Sequence, residues 1–200
     1  MLSNNGIKYC EVKEIKPLEF TEELFEVFYL ASKTYGIEAN KPSFINYLRG
    51  LTGPYVVYGA FFRESSRLCG YAVINYCSNY IELQSQKAIP EYEKFQVNAA
   101  LVYTVLEAYK DSLCTGKYIC DGARSIVHKT NFQTYLEKYF GFRKAFCKLH
   151  LIFNPKIRWL IRALYPFRQI MKKIDGINSI RKLSALLQME EIVRNQKELE

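Results

Sequence analysis

The chain of 200 residues has the length of one domain with room for an appendage, and its 49% hydrophobic content is enough for a buried core. Several classes are disfavoured. No apolar run approaches the roughly 20 residues of a membrane span, and the first thirty residues do not resemble a signal peptide. The six cysteines form no Cys-x-x-Cys pair, and with only two histidines a structural zinc site is not expected. We therefore expect a cytoplasmic protein with reduced cysteines and no bound metal.

The formal net charge of +8 is unevenly distributed, because six basic residues and no acidic residue lie between positions 156 and 173. Such a segment is typical of proteins that bind nucleic acid, a membrane surface or an anionic cofactor. A basic face that simply contacts solvent is the alternative interpretation.

The N-terminal part predicts one strand and two helices. Tyr9, Val12 and Ile15 recur among charged residues, which indicates a strand over Lys8–Ile15. A helix follows from Thr21 to about Gly36, and a second begins at Pro42 and ends at Gly53.

Three β-rich segments separated by short turns then predict an antiparallel meander. The segments are Tyr55–Arg63, Leu68–Cys77 and Tyr80–Lys87. Simple alternation in the third strand predicts that Ile81, Leu83 and Ser85 lie on one face, and that Glu82, Gln84 and Gln86 lie on the other.

A long helix is predicted from Tyr92 to Lys110, followed by a short strand at Lys117–Cys120. Thr130 or Asn131 then suits a helix N-cap, and Gly141 suits the C-terminus of that helix. A closing strand is predicted over Arg143–Phe153. The loop between Cys120 and the helix follows a strand C-terminus, where open α/β sheets usually bind ligands.

Residues 154–200 read as a helical appendage. Pro155–Tyr165 has the pattern of a basic amphipathic helix, Pro166 interrupts it, and Ile180–Val193 forms a last helix. Either Trp159, Leu160 and Leu164 pack on the sheet while the basic residues face solvent, or residues 155–173 contact a membrane surface.

The order of these elements, with Gly141-Phe142 between the last helix and the last predicted strand, resembles the GNAT superfamily of acyl-CoA N-acyltransferases over about residues 7–153. The segments Tyr55–Lys87, Ile89–Leu101 and Tyr135–Phe142 carry the resemblance, and Val97-Asn98 with Asp121-Gly122 is most similar to the Fem-type branch. It implies an α/β fold with a mixed, mostly antiparallel sheet. One parallel pair of strands splays into a cleft, and helices cover both faces. We expect this domain to span residues 1–153, with residues 154–200 as the appendage.

The resemblance also implies a cofactor site for acetyl-CoA or another acyl-CoA. In the superfamily the acyl arm lies along the fourth strand, and the pyrophosphate contacts backbone N–H groups at the N-terminus of the next helix, which is a natural anion site. The positions that correspond to the usual loop hold Glu93, Gln96 and Asn98 and no glycine, so we expect weak binding. The residues predicted to contact the cofactor are Ser85, Lys87, Lys94, Gln96, Val97, Asn98 and Asn131.

Three residues are candidates for catalysis. Glu82 lies on the fourth strand, where the family often keeps a general base; a solvated strand face is the alternative. His128 titrates near neutral pH and lies in the loop at the cleft; an ordinary loop histidine is the alternative. The family's tyrosine position holds Glu137, so Tyr139, two positions away, is the candidate general acid.

The leading hypothesis is acyl transfer from an acyl-CoA to an amine on a small molecule or a glycan precursor. One alternative is Fem-like aminoacyl transfer from a charged tRNA to a cell-wall or lipid-linked precursor. The other is a GNAT-like binding module without catalysis, which the missing glycines would suit.

Overall fold

The computed structural model describes residues 3–122, 131–145, 148–171, 173 and 178–198. The chain forms two compact units, Met1–Ala123 and Arg124–Glu200. Within the described ranges, no helix combines the length and the apolar character needed to cross a bilayer.

A five-stranded sheet forms the centre of the first unit, in the order β1-β2-β3-β4-β5. The strands β1 to β4 pair antiparallel, and β4 and β5 pair parallel. The predicted fold class is therefore confirmed, including the single parallel pair of the described sheet. The strands are β1 (Cys10–Ile15), β2 (Tyr55–Phe62), β3 (Leu68–Tyr76), β4 (Tyr80–Ala88) and β5 (Tyr118–Cys120).

Helices lie on both sides of this sheet. The bounds are α1 (Ser3–Tyr9), α2 (Thr21–Lys33), α3 (Lys41–Gly50), α4 (Val97–Ala108) and α5 (Lys110–Cys114), with 3-10 turns at Pro17–Phe20 and Pro90–Phe95. The α3 helix begins where predicted, because the Asn40 side chain accepts a hydrogen bond from the Ser43 amide.

The sequence analysis missed α1 and placed a strand start at Lys8, which the structure corrects to Cys10. Gly6 explains why this polar segment is helical, since it allows α1 to pack closely on α4. A Cβ atom at Gly6 would lie 2.6 Å from the Gln96 carbonyl oxygen. Tertiary packing therefore overrides a weak local preference.

The two faces of the sheet carry separate cores. On one face α2 and α3 pack through Leu24, Val27, Phe44 and Leu48 against Tyr71 and other buried residues of the strands. On the other face α4 packs against β3, and a Cβ atom at Gly70 would lie 2.6 Å from Val97 Cγ1. Burial of these apolar side chains supplies most of the stabilisation, at about 25 cal/mol per Å².

The second unit is helical, with a buried contact between α7 and α9 and Leu136 buried on α6. Its helices are α6 (Phe132–Phe140), α7 (Pro155–Leu164), α8 (Arg168–Met171) and α9 (Asn178–Glu198), with a 3-10 turn at Tyr165–Phe167. Gly141 ends α6 with a φ of +70°, as predicted.

The predicted closing strand at Arg143–Phe153 is wrong for the residues that the structure describes there. Residues 143–145 and 148–153 form no strand, and the Leu149 amide donates to the Gln196 side chain on α9 instead. A β-rich sequence needs a neighbouring strand edge to become a strand, and here its backbone bonds to a helix.

Candidate active site

The strands β4 and β5 pair over only three residues, Tyr80, Ile81 and Glu82, opposite Tyr118, Ile119 and Cys120. The β4 strand continues to Ala88, and no described strand pairs with this part of its outer edge. A β-bulge lies immediately after the last pair, because Gln84 is an extra residue between Leu83, which faces Ile74, and Ser85, which faces Val73. A bulge bends its strand, so the sheet opens at this point.

The bulge changes which side chains share a face of β4. Antiparallel partners lie on the same face, so Glu82, Ser85 and Lys87 share the face of Tyr71, while Gln86 shares the face of Gly70. The predicted grouping of Ser85 with Leu83, and of Gln86 with Glu82, is wrong, because simple alternation does not allow for the extra residue.

Glu82 lies at the point where the two strands separate. Its Oε2 accepts a 3.4 Å hydrogen bond from Asn75 Nδ2. Its Oε1 lies against Gly122, where a Cβ atom would be only 2.7 Å away. Burial raises the pKa of the neighbouring Cys120 thiol, and the Glu82 carboxylate adds to that effect. Glu82 as a whole is half-buried.

Ser85 and Lys87 occupy the rest of this face. Ser85 is on the same face as the buried Tyr71, whose pKa is raised mainly by burial. Burial lowers the pKa of Lys87, and its Nζ lies 5.9 Å from the centre of the Tyr35 ring. No described carboxylate lies within ion-pair distance of Lys87.

The other predicted cofactor residues of the first unit surround the start of α4. Gln96 has a φ of +61° and precedes the helix, which begins at Val97 as the resemblance implies. Gln86 Nε2 donates to the carbonyl and the side-chain oxygen of Asn98. Lys94 Nζ lies 5.0 Å from the centre of the Phe95 ring.

Two observations bear on whether a CoA molecule fits this backbone. Within the described part of the chain, the amides of Val97, Asn98 and Ala99 donate to no acceptor. Val97 is 0% and Ala99 2% exposed, so a pyrophosphate at this helix N-terminus would have to bind at the half-buried Asn98. Gln86 Oε1 is buried and accepts no hydrogen bond from a described residue, and such an atom suits an amide N–H group of the cofactor arm.

The acidic residues of the preceding turn oppose the same ligand. Glu91 and Glu93 are both exposed in the 3-10 turn that leads into α4. Their charges disfavour an anion at the helix N-terminus, which agrees with the expectation of weak binding.

The remaining candidates belong to the second unit of the chain. Asn131 precedes α6 in the second unit, where its side chain caps no helix amide, and Tyr139 is 41% exposed on the same helix. His128 lies outside the described residues. Sequence reasoning missed Asn75 and Gly122, although the Asp121-Gly122 turn signal marked the position of the glycine. Among the described residues, no group of three His, Cys, Asp or Glu side chains could hold a metal.

Comparison with solved structures finds acetyltransferases. A probable acetyltransferase aligns with a TM-score of 0.56 and 17% identity over 72% of this chain and 98% of that one. The aminoglycoside 6'-N-acetyltransferase AAC(6')-Ih from Acinetobacter baumannii aligns with a TM-score of 0.52 and 13% identity over 72% and 98% of the two chains.

A structure of AAC(6')-Iy with a CoA bisubstrate analogue aligns with a TM-score of 0.54 and 8% identity over 73% and 99% of the two chains. A scan against protein-family models found no match, and a search of curated proteins found none either. Identities at this level establish the fold alone, and the fold of this chain is that of the GNAT acetyltransferases.

Proposed function

We propose that the protein transfers an acyl group from an acyl-CoA thioester to an amine on a small molecule or a glycan precursor. The observation that carries this proposal is the end of the β4–β5 pairing at Glu82. Beyond that point the outer edge of β4 pairs with no described strand, and the half-buried Glu82 lies where the two strands separate. When bound, the cofactor supplies an activated acyl group.

The backbone of α4 and β4 would bind the cofactor. The Asn98 amide would contact the pyrophosphate, and the part of β4 that pairs with no described strand would hold the cofactor arm as an added strand. Because both belong to regular structure, they would hold the cofactor without reorganisation of loops.

Glu82 is the proposed general base. Its carboxylate accepts a proton from the acceptor ammonium, directly or through one water, so that the amine has a free lone pair for attack. Asn75 orients the carboxylate through Oε2, and Gly122 leaves space for Oε1. His128 and Tyr139 remain proposed participants in proton transfer.

The test has two stages. Calorimetry with acetyl-CoA measures cofactor binding, and loss of thioester absorbance with a panel of amines measures transfer. Glu82→Gln should lower kcat by about 10²-fold or more while leaving the affinity for acetyl-CoA unchanged. Glu107→Gln is the matched control, because Glu107 is an exposed carboxylate on α4.

Three results would contradict the proposal in different ways. Absence of acetyl-CoA binding would exclude an acyl-CoA donor. Binding without transfer to any amine would favour the binding-module alternative. Full activity in Glu82→Gln would leave acyl transfer standing but remove Glu82 as its base.

A further inference from the structure

The positive charge of this protein belongs to its second unit. Residues 124–200 contain sixteen of the 28 lysines and arginines and six of the 20 acidic residues, a net charge of +10, whereas residues 1–123 have a net charge of −2. No acidic residue lies between Glu137 and Asp175, and ten basic residues do. A charge concentrated in this way indicates an anionic partner for the second unit rather than a general requirement for solubility.

One side of the α7–α8 segment packs against α9 within the second unit. Ile161 is 1% exposed, and α7 and α8 both contact α9. Arg168 pairs with Glu191 at 2.8 Å, and the Arg194 guanidinium lies 3.8 Å from the centre of the Tyr165 ring. These contacts fix which side of the segment points away from α9.

The side that points away from α9 is apolar. Trp159 is 73% exposed, Ile170 60%, Phe167 55% and Leu160 49%. Trp159 and Leu160 lie on α7 with the exposed Ala163, Phe167 ends the 3-10 turn, and Ile170 lies on α8; we call these five residues the apolar stripe. Four large apolar side chains exposed within so short a segment are unusual for a surface that contacts only water.

Basic residues border the apolar stripe. Lys156 lies at its N-terminal end. Arg158 and Arg162 are exposed between the stripe and α9, where they line a recess with Ile161 and Glu190. None of the three forms an ion pair with a described residue. A face that combines Trp, Phe and Leu with flanking cations suits the boundary between lipid headgroups and acyl chains, because the rings enter the apolar layer while the cations remain at the phosphates.

We propose that the apolar stripe and its basic border bind the surface of a membrane that contains anionic lipids. Nucleic acid would attract the cations but would leave Leu160 and Ile170 in water. A second copy of the chain would bring the same basic border against itself, and like charges repel. An anionic lipid surface alone satisfies both the apolar and the basic part of the face. This inference does not depend on the proposed acyl transfer.

The single tryptophan of the chain is a native reporter for the test, because Trp159 lies within the apolar stripe. The full-length protein is titrated with vesicles of phosphatidylcholine alone, and with vesicles in which about a third of the lipid is phosphatidylserine. We expect a blue shift of the Trp159 emission, and co-sedimentation of the protein, with the anionic vesicles only. Binding should weaken as salt is raised, because the charge contribution is screened.

Variants separate the two parts of the surface. Leu160→Ala with Phe167→Ala should lower partitioning about tenfold or more, and Arg158→Glu with Arg162→Glu should abolish the preference for anionic vesicles. Tyr35→Ala is the control for loss of an exposed ring, since Tyr35 is 61% exposed in the first unit. Thermal unfolding should show that all variants are folded, because the substituted side chains are exposed.

The possible outcomes decide the proposal. Absence of both the blue shift and co-sedimentation would overturn it, and equal binding to neutral and anionic vesicles would overturn the role of the basic border. A blue shift that grows with protein concentration without lipid would assign the stripe to a second copy. Retention of RNA without vesicle binding would assign the surface to nucleic acid.

Discussion

Gly122→Ala tests whether the proposed chemistry depends on the position of the Glu82 carboxylate. Gly122 has a φ of +70°, and a Cβ atom there would lie 2.7 Å from Glu82 Oε1. That distance is shorter than any stable contact, so the carboxylate must move. It can do so at little cost, because it is the end of a flexible side chain. The variant therefore displaces the proposed base without removing it.

The expected magnitudes follow from these two features. A non-glycine residue in the left-handed region costs about 1–2 kcal/mol, so the free energy of unfolding should fall by about that amount. Gly53→Ala is the matched control, because Gly53 has a φ of +67° and nothing lies within 4 Å of its Cβ position. Both variants should lose similar stability. Only Gly122→Ala should lose activity, by about 10²-fold, similar to Glu82→Gln.

A double-mutant cycle completes the test. If both substitutions act on the same carboxylate, the double variant Glu82→Gln, Gly122→Ala should be scarcely less active than Glu82→Gln alone. The assay is kcat/KM for acyl transfer to whichever amine the protein accepts, with thermal unfolding measured in parallel. Two outcomes would refute the role assigned to the position of the Glu82 carboxylate. In one, the activity losses of the two single variants multiply in the double variant; in the other, Gly122→Ala is as active as Gly53→Ala.

Four further predictions address the cofactor site, charge and the bulge. Glu93→Arg with Gln96→Gly should tighten acetyl-CoA binding in calorimetry, because it removes a repelling charge and a strained φ of +61°; unchanged affinity would contradict this. Lys87→Met should raise the unfolding free energy at pH 7, since burial lowers the pKa of Lys87 and disfavours its charged form in the folded state. This gain in unfolding free energy should be complete below the pKa that Lys87 has in the folded protein. Measured by thermal unfolding, it should disappear as the pH rises past the ordinary lysine pKa of about 10.4. A gain that does not change with pH would instead be an effect of packing. His128→Ala should lower turnover about 10²-fold with little change in stability, and unchanged activity would remove His128 from the mechanism. Deletion of Gln84 should preserve the circular dichroism spectrum, because Leu83 and Ser85 would still face adjacent residues of β3. It should lower activity, because β4 would no longer bend beside β5. Full activity would show that the bulge does not shape the site.

Much of the fold could be predicted because local signals and tertiary packing agree there. The meander strands are β-rich and separated by short turns, and the parallel pairing of β4 with β5 follows from the long connection between them. Pro90 and the Val97-Asn98 pair placed the end of β4 and the start of α4 within a few residues. These features depend on residues close together in sequence.

The elements that were missed depend on distant contacts. The helical form of residues 3–9 depends on the closeness of Gly6 to Gln96, ninety positions away. The β-rich segment after Gly141 forms no strand in its described residues, and its Leu149 amide instead bonds to Gln196. No pattern within either segment contains this information, because the deciding partner lies in another part of the chain.

The bulge at Gln84 shows how one such feature can reorganise a candidate site. Alternation alone places Glu82, Gln84 and Gln86 on one face, with one residue between neighbours on that face. The extra residue shifts everything after Leu83 by one position, so that Gln86 turns to Asn98 and the start of α4, while Lys87 joins Glu82 and Ser85. The same residue bends β4 just beyond its last pair with β5. A single insertion in the ladder therefore both opens the cleft and selects the side chains that face each side of it. Glu82 keeps its place beside the opening because it precedes the bulge, whereas the assignment of every later residue of β4 required the structure.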